Sequence, residues 1–307
     1  MSAAGKSNLA ASVRQRLLTL GQRRGEPFDL ILMHYGIERL LYRLSRSDYA
    51  DQFLLKGAML FRVWKDFSHR PTRDLDLLGF SPPETKALES IFRELCLLQV
   101  EPDGLLFLPD TVTAELIREH AVYGGIRVTL EARLGNARMP IQCDVGFGDA
   151  VTPEPAQIEF PALLDFPALL DFPAPRLRSY PTYTVVAEKL EAVVLLGEAN
   201  SRMKDFYDLW FLSRQFEFNG ETLVAAIRAT FARRKTKLLE STPPSFMNDF
   251  SKLKSLQWSA FLRKCRLPQM EMSEALDAIR CFADAPLAYA SRAESFTKHW
   301  IPEAGWK

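Results

Sequence analysis

Residues 125–147, GIRVTLEARLGNARMPIQCDVGF, constrain the fold more than any other stretch of the chain. Apolar and polar side chains alternate on both sides of Gly135-Asn136, the period of a strand buried on one face only. A glycine-asparagine pair between two such runs is a turn signal, because glycine adopts the positive φ that tight hairpins need. The segment predicts an antiparallel strand pair, so any fold for this chain contains a sheet.

Around this hairpin the apolar spacing changes twice. From Ser7 to Tyr49, residues Val13, Leu17 and Leu20, then Ile31, Ile37, Leu40, Leu41 and Leu44, recur at helical spacing, and Gly25-Glu26-Pro27 breaks the run into two helices. From Gln52 to Phe147 short alternating runs prevail, with one helix expected from Glu84 to Leu98. After Tyr180 the helical pattern returns almost to the last residue, broken at Pro243-Pro244 and at Pro268. The implied class is α+β, a mixed sheet with helices against it. Its parts are an N-terminal helical segment (1–50), a sheet-bearing core (51–180) and a C-terminal helical region (181–307).

The core ends in a proline-rich stretch, Asp149 to Pro181, where FPALLD at Phe160–Asp165 is repeated unchanged at Phe166–Asp171. Six residues are too few for a solenoid unit, so a local duplication in a surface linker is expected, with little structural effect. The formal net charge of +1 supplies no global field for nucleic acid, and any such binding needs a local patch. The N-terminal helices offer Arg14, Arg16, Arg23, Arg24, Arg39, Arg43 and Arg46 among Glu26, Asp29, Glu38 and Asp48. Charge patterning favours a solvated face there over a nucleic-acid surface.

Cys96, Cys143, Cys265 and Cys281 lie far apart, which suggests buried thiols rather than a zinc cluster or disulfides. His34, His69, His120 and His299 show no ligand spacing and are assigned no chemistry. The opening residues, MSAAGKSNLAASVRQRLL, hold no uninterrupted apolar run, and no later stretch approaches the roughly 20 apolar residues of a membrane helix. A cytoplasmic protein without membrane contact is expected.

The chemistry concentrates in Arg70-Pro71-Thr72-Arg73-Asp74-Leu75-Asp76-Leu77-Leu78. On a strand, Asp74 and Asp76 share one face while Leu75 and Leu77 point to the core. Two carboxylates side by side repel each other unless a cation joins them, and hard divalent ions such as Mg²⁺ (or Mn²⁺) take such oxygen ligands together with substrate phosphates. In the strand Ile141–Phe147, Asp144 is the lone carboxylate and faces away from Ile141, Cys143 and Val145. Beside Asp74 and Asp76 it completes a set of three metal-binding carboxylates and helps deprotonate an attacking hydroxyl. Upstream, Lys56-Gly57-Ala58 breaks an apolar run where glycine lets backbone N–H groups approach a phosphate.

LKGAML, RPTRDLDL, AEKLEAVVLLG and NSRMKDFYDL, in this order and spacing, resemble the AbiEii/AbiGii-type toxin nucleotidyltransferases of bacterial type IV toxin–antitoxin systems, members of the polymerase-β-like superfamily. The resemblance runs from about Phe53 to about Arg234 and implies a nucleotidyltransferase-like core. It also implies that Asp74 and Asp76 bind the catalytic metal, that Thr72 holds the nucleotide, that Lys189 contacts its phosphates and that Asp205 completes the site. Lys56, Gly57, Ala58 and Arg70 join the nucleotide-binding residues. Many superfamily members carry Gly-Ser where this chain has Gly57-Ala58, so here only backbone donation remains.

The residues add to that picture. Lys189 falls on the same helical stripe as Val186, Val193 and Leu196, a costly place for a charge without a partner, and a triphosphate would be such a partner. Asp208 reads as a supporting residue, pairing with Lys204 four positions earlier. The expected function is transfer of a nucleoside monophosphate from an NTP to an acceptor, with pyrophosphate released. The resemblance implies a cognate antitoxin encoded nearby and an RNA acceptor, the tRNA 3′ end, toward which Arg233, Arg234, Lys235 and Lys237 form a candidate guiding cluster. The alternatives are a nucleotide-binding module without turnover and a transferase acting on a protein or small molecule.

Overall fold

The structure, a computed structural model, describes residues 3–64, 69–117, 124–164 and 173–307, with side chains from residue 9 onward. The chain divides into two compact units, residues 1–148 with 156–179, and residues 149–155 with 180–307.

The first unit begins with α1 (Ala3–Arg24) and α2 (Phe28–Arg46), separated by Gly25-Glu26-Pro27. There follow β1 (Phe53–Lys56), α3 (Leu60–Trp64), β2 (Asp74–Gly79), α4 (Thr85–Leu97), β3 (Leu105–Ile117), β4 (Gly125–Leu134), β5 (Ala137–Phe147), β6 (Ala156–Glu159) and β7 (Arg176–Ser179). Seven strands form one mixed sheet in the order β3-β4-β5-β2-β1-β7-β6. The pairs β2–β5 and β1–β7 run parallel and the others antiparallel. The predicted hairpin is β4–β5, and Leu134 pairs with Ala137 across Gly135, whose φ of 57° suits the first central position of a two-residue turn.

Alternation along these strands produces two unlike faces. Ile126, Val128, Leu130, Ala132, Ile141, Cys143, Val145, Leu75 and Leu77 are buried, and Gly36 of α2 lies against Ile141 and Met139 on that side. The opposite face carries Arg127, Thr129, Glu131, Gln142, Asp144, Asp74 and Asp76 and is partly open to solvent. The sheet thus supplies a rigid floor whose open side is polar.

Two expectations fail in this unit. Arg39 and Arg43 are buried rather than solvated, because Asp103, itself 2% exposed, accepts from Arg39 Nε at 3.1 Å and from Arg43 Nη1 at 2.7 Å. Glu38 is buried as well and accepts from the Leu163 backbone N–H at 2.7 Å. That contact belongs to the first FPALLD copy, whose Phe160 and Leu163 are core residues and not part of a surface linker. The second copy lies outside the described residues, as does His120.

The second unit comprises α5 (Thr182–Leu196), α6 (Met203–Gln215), β8 (Phe218–Asn219), α7 (Gly220–Arg234), α8 (Asn248–Cys265), α9 (Met272–Arg292), β9 (His299–Ile301) and β10 (Gly305–Trp306). The expected breaks fall between α7 and α8 and between α8 and α9. The helical pattern stops earlier than expected, since β8, β9 and β10 form a small antiparallel sheet. Its Trp300 and Trp306 pack on Phe282 of α9, and Trp300 Nε1 donates to the Ser213 carbonyl at 2.7 Å. Aromatic packing close to the end of the chain thus replaces a last helical turn. Among the described residues, no helix is long and apolar enough to cross a membrane.

Candidate active site

β2 runs between β1 and β5, and its register sets a line of charge across the open face. Asp76 pairs with Lys56 of β1 on one side and with Asp144 of β5 on the other. Asp144 in turn pairs with Arg127 of β4, and Arg127 with Glu115 of β3. Directly opposed residues share a face, so five charged side chains form one row. Two residues back, Asp74 pairs with Gln142, and Gln142 with Thr129. The sheet register therefore brings Asp74, Asp76 and Asp144 onto adjoining positions of two neighbouring strands.

After β1 the chain turns sharply through Gly57-Ala58-Met59. Gly57 has a φ of 72°, and a Cβ built there would meet Asp76 Oδ2 at 2.0 Å. Any side chain at this position would occupy the ground of the Asp76 carboxylate and would also carry the left-handed backbone penalty. Glycine is required here twice over.

Asp144 does not face open space. Arg127 grips it as a fork, with Nε donating to Oδ1 at 2.9 Å and Nη2 to Oδ2 at 2.8 Å. Gln142 lies between the two acids, its amide nitrogen 3.4 Å from an oxygen of Asp74 and 3.4 Å from one of Asp144. With the amide reversed, its oxygen accepts from Arg127 at 3.1 and 3.2 Å. Beneath this face, burial and the charges of Asp76 and Asp144 push the Cys143 thiol well above its ordinary range.

Among the described residues, no group of three Asp, Glu, His or Cys side chains is placed as a ready cage for a metal ion. The expected three-way convergence is therefore not a finished ligand set, because the third carboxylate is turned to an arginine. The donor chemistry still fits a hard divalent cation. Asp74 and Asp76 offer oxygens only, and the side chain missing at Gly57 is what lets the Asp76 carboxylate lie against that backbone.

The loop before β2, holding Arg70 and Thr72, is anchored by a residue that sequence reasoning set aside. His34 of α2 is buried, with Nε2 2.8 Å from the Thr72 carbonyl and Nδ1 2.8 Å from Arg62 Nη1. A guanidinium only donates, so Nδ1 accepts and Nε2–H donates to Thr72. Burial and the Arg62 charge push the His34 pKa down to about 4, which keeps this relay neutral. Asp29 of the same helix pairs with Arg73. The signal available in the sequence was a lone histidine on an otherwise apolar helix face.

In the helical unit, Lys189 of α5 is clasped by α6. Its Nζ lies 3.1 Å from Asp205 Oδ1 and 2.5 Å from Asp208 Oδ2, and these three side chains are 14%, 3% and 0% exposed. Arg202 Nε also lies 2.8 Å from Asp205 Oδ2, a second ion pair on that carboxylate. The buried lysine thus has its partners within the fold. Asp208 is not the surface partner of Lys204 but half of the clasp, because the spacing of three residues turns both aspartates to the same side of α6. The candidate basic cluster also loses a member. Arg234 is mostly buried and reaches Asp149 at 3.1 Å, Glu188 at 3.1 Å and Glu191 at 2.9 Å, while Arg233, Lys235 and Lys237 stay exposed.

Comparison with known proteins follows the same lines. The family model described as nucleotidyl transferase AbiEii toxin, type IV toxin–antitoxin system, matches residues 39–280. Among solved structures the chain is similar in fold to MenT4, a nucleotidyltransferase toxin from Mycobacterium tuberculosis H37Rv, at 18% identity and a TM-score of 0.54, covering 92% of this chain and 89% of that one. JHP933 from Helicobacter pylori is also similar, at 14% identity and a TM-score of 0.43, covering 83% and 88%. No curated protein sequence matches.

Proposed function

Because the chain belongs to the AbiEii family of nucleotidyltransferase toxins of type IV toxin–antitoxin systems, we propose that it transfers a nucleoside monophosphate from an NTP to an RNA, the tRNA 3′ end, and releases pyrophosphate. The observation that carries this reading is the registered placement of Asp74, Asp76 and Asp144 on the open face of the sheet. Asp74 and Asp76 would hold Mg²⁺ or Mn²⁺, with Asp144 as the third ligand. The ion would supply charge neutralisation at the reacting phosphate. Gly57 and Ala58 offer backbone donors to phosphate, with Lys56 and Arg70 as nearby cations. Thr72, fixed through its carbonyl by His34, presents its hydroxyl to the nucleotide.

For Lys189 and Asp205 the motifs imply phosphate contact and completion of the site, and within the helical unit Asp205 and Asp208 hold the lysine in place. This machinery positions groups and neutralises charge, and it requires no covalent intermediate. The family implies restraint by an antitoxin partner, and the proposal is that a cognate protein encoded nearby supplies it.

The test incubates the protein with each labelled NTP, Mg²⁺ and total tRNA, beside D74N and D76N. Label on RNA with wild type and none with either variant is expected. Transfer that persists in both variants overturns the site, and transfer to protein but never to RNA overturns the acceptor.

A further inference from the structure

The Arg127–Asp144 fork in the charged row is not used by the proposed chemistry, and it conflicts with that chemistry as it stands. Both oxygens of the third carboxylate are engaged by a guanidinium at 2.9 and 2.8 Å. A divalent ion bound to the same oxygens would sit against that positive charge, so the two cations exclude each other. We propose that Arg127 is a positioning residue which holds Asp144 back from the metal until the triphosphate of an incoming nucleotide draws the guanidinium away, so that complete metal loading follows nucleotide binding. This inference rests on the reading of Asp74, Asp76 and Asp144 as metal ligands.

Three observations support the exchange. The pair is partly open, with side chains 35% and 23% exposed, and an ion pair in such a place is screened and held weakly enough to be traded. The leaving group suits its destination, because the planar guanidinium fork that matches a carboxylate also matches a phosphate. Gln142 lies between the two sides of the exchange, its amide 3.4 Å from Asp74 and Asp144 and 3.1 Å from Arg127, within reach of whichever group stays. The hydrogen bonds from Arg127 to Asp144, and after them the charges of Asp144, Asp74 and Glu115, raise the Arg127 pKa.

The test follows Mn²⁺ binding to the full chain by the paramagnetic signal of free Mn²⁺, with and without a non-hydrolysable NTP analogue. Without nucleotide, R127Q should bind Mn²⁺ more tightly than wild type, on the order of tenfold or more, as expected when a unit charge is removed beside a carboxylate. R127K, which keeps the charge, should stay near wild type. D144N should cost less Mn²⁺ affinity without nucleotide than with the analogue, where it removes most of the tightening seen in wild type, a prediction that stands even where R127Q does not fold. Equal nucleotide-free affinities for R127Q and wild type, or an equal loss with D144N in both conditions, would overturn the proposal. D74N sets the underlying reading apart, for if it fails to weaken Mn²⁺ binding in the presence of the analogue, the metal site itself is misassigned.

Discussion

Asp144 in the sheet unit and Asp208 in the helical unit are both aspartates held by a cation, and they illustrate different uses of the same ion pair. Asp144 is 23% exposed and faces an arginine that is 35% exposed, on a sheet face open to solvent. Asp208 is fully buried and shares a lysine, itself only 14% exposed, with Asp205. Water can stand in for a departing partner in the first case and not in the second. Asp144 can therefore exchange its partner at small cost, whereas the carboxylates of α6 are fixed parts of the fold.

The sharpest way to break this contrast is Lys189→Met. It leaves two buried carboxylates without their ammonium, and a loss of roughly 3–5 kcal/mol in unfolding free energy is expected from urea titration. Adding Asp208→Asn should restore part of it. A loss below about 1 kcal/mol would put the helical clasp on the same footing as the exposed pair. Asp76→Asn should do the reverse, lowering nucleotide transfer on the order of 10²–10³-fold while the thermal midpoint holds or rises as repulsion between carboxylates is relieved.

A third buried acid sharpens the comparison through pH. Burial pushes the Glu38 pKa up to about 7, whereas His34 lies at about 4. From about pH 4.5 to 7 the native Glu38 keeps a proton that the unfolded chain has lost, so its contribution to stability falls as pH rises, by about 3 kcal/mol in all. His34 acts in the other direction. The native ring stays neutral while the unfolded chain takes up a proton below about pH 6.5, so its contribution falls as pH drops toward 4. Where the windows overlap, the two slopes oppose each other. Urea midpoints across this range should show Glu38→Gln losing stability on acidification relative to wild type, and His34→Gln gaining it. Parallel curves for both variants and wild type would refute the assignment. The smallest effect is expected from Arg176→Ala. Its pairing with Glu159 joins side chains 80% and 60% exposed, and a change within about 0.5 kcal/mol by thermal melting is expected.

The parts legible in the sequence were those encoded locally. The alternation around Gly135-Asn136 gave the hairpin, and the period of two placed Asp74 with Asp76 and Asp144 away from the core. The hairpin even held a signal that went unread. With Leu134 opposite Ala137, counting outward along both strands sets Arg127 opposite Asp144. Arg39 and Arg43 were misjudged because charge alone does not reveal burial, and their neutralising Asp103 lies about sixty positions away in the chain. The clasp on Lys189 was hidden for a related reason, since spacing along α6 shows that Asp205 and Asp208 share a side but not which helix that side meets. The prolines make the first FPALLD copy read as a linker, although its Phe160 and Leu163 carry enough apolar surface to claim seats in the core.

The central pairing of the sheet also bears on how the protein is made. β4 and β5 are joined by a two-residue turn and can zip together as soon as both have been synthesised. β2, with Asp74 and Asp76, is aligned beside β5 only by closing a long intervening stretch of chain, and such distant pairings form late because loop closure costs entropy before contacts repay it. Asp74 and Asp76 meet Asp144 only once the chain has been extended through β5.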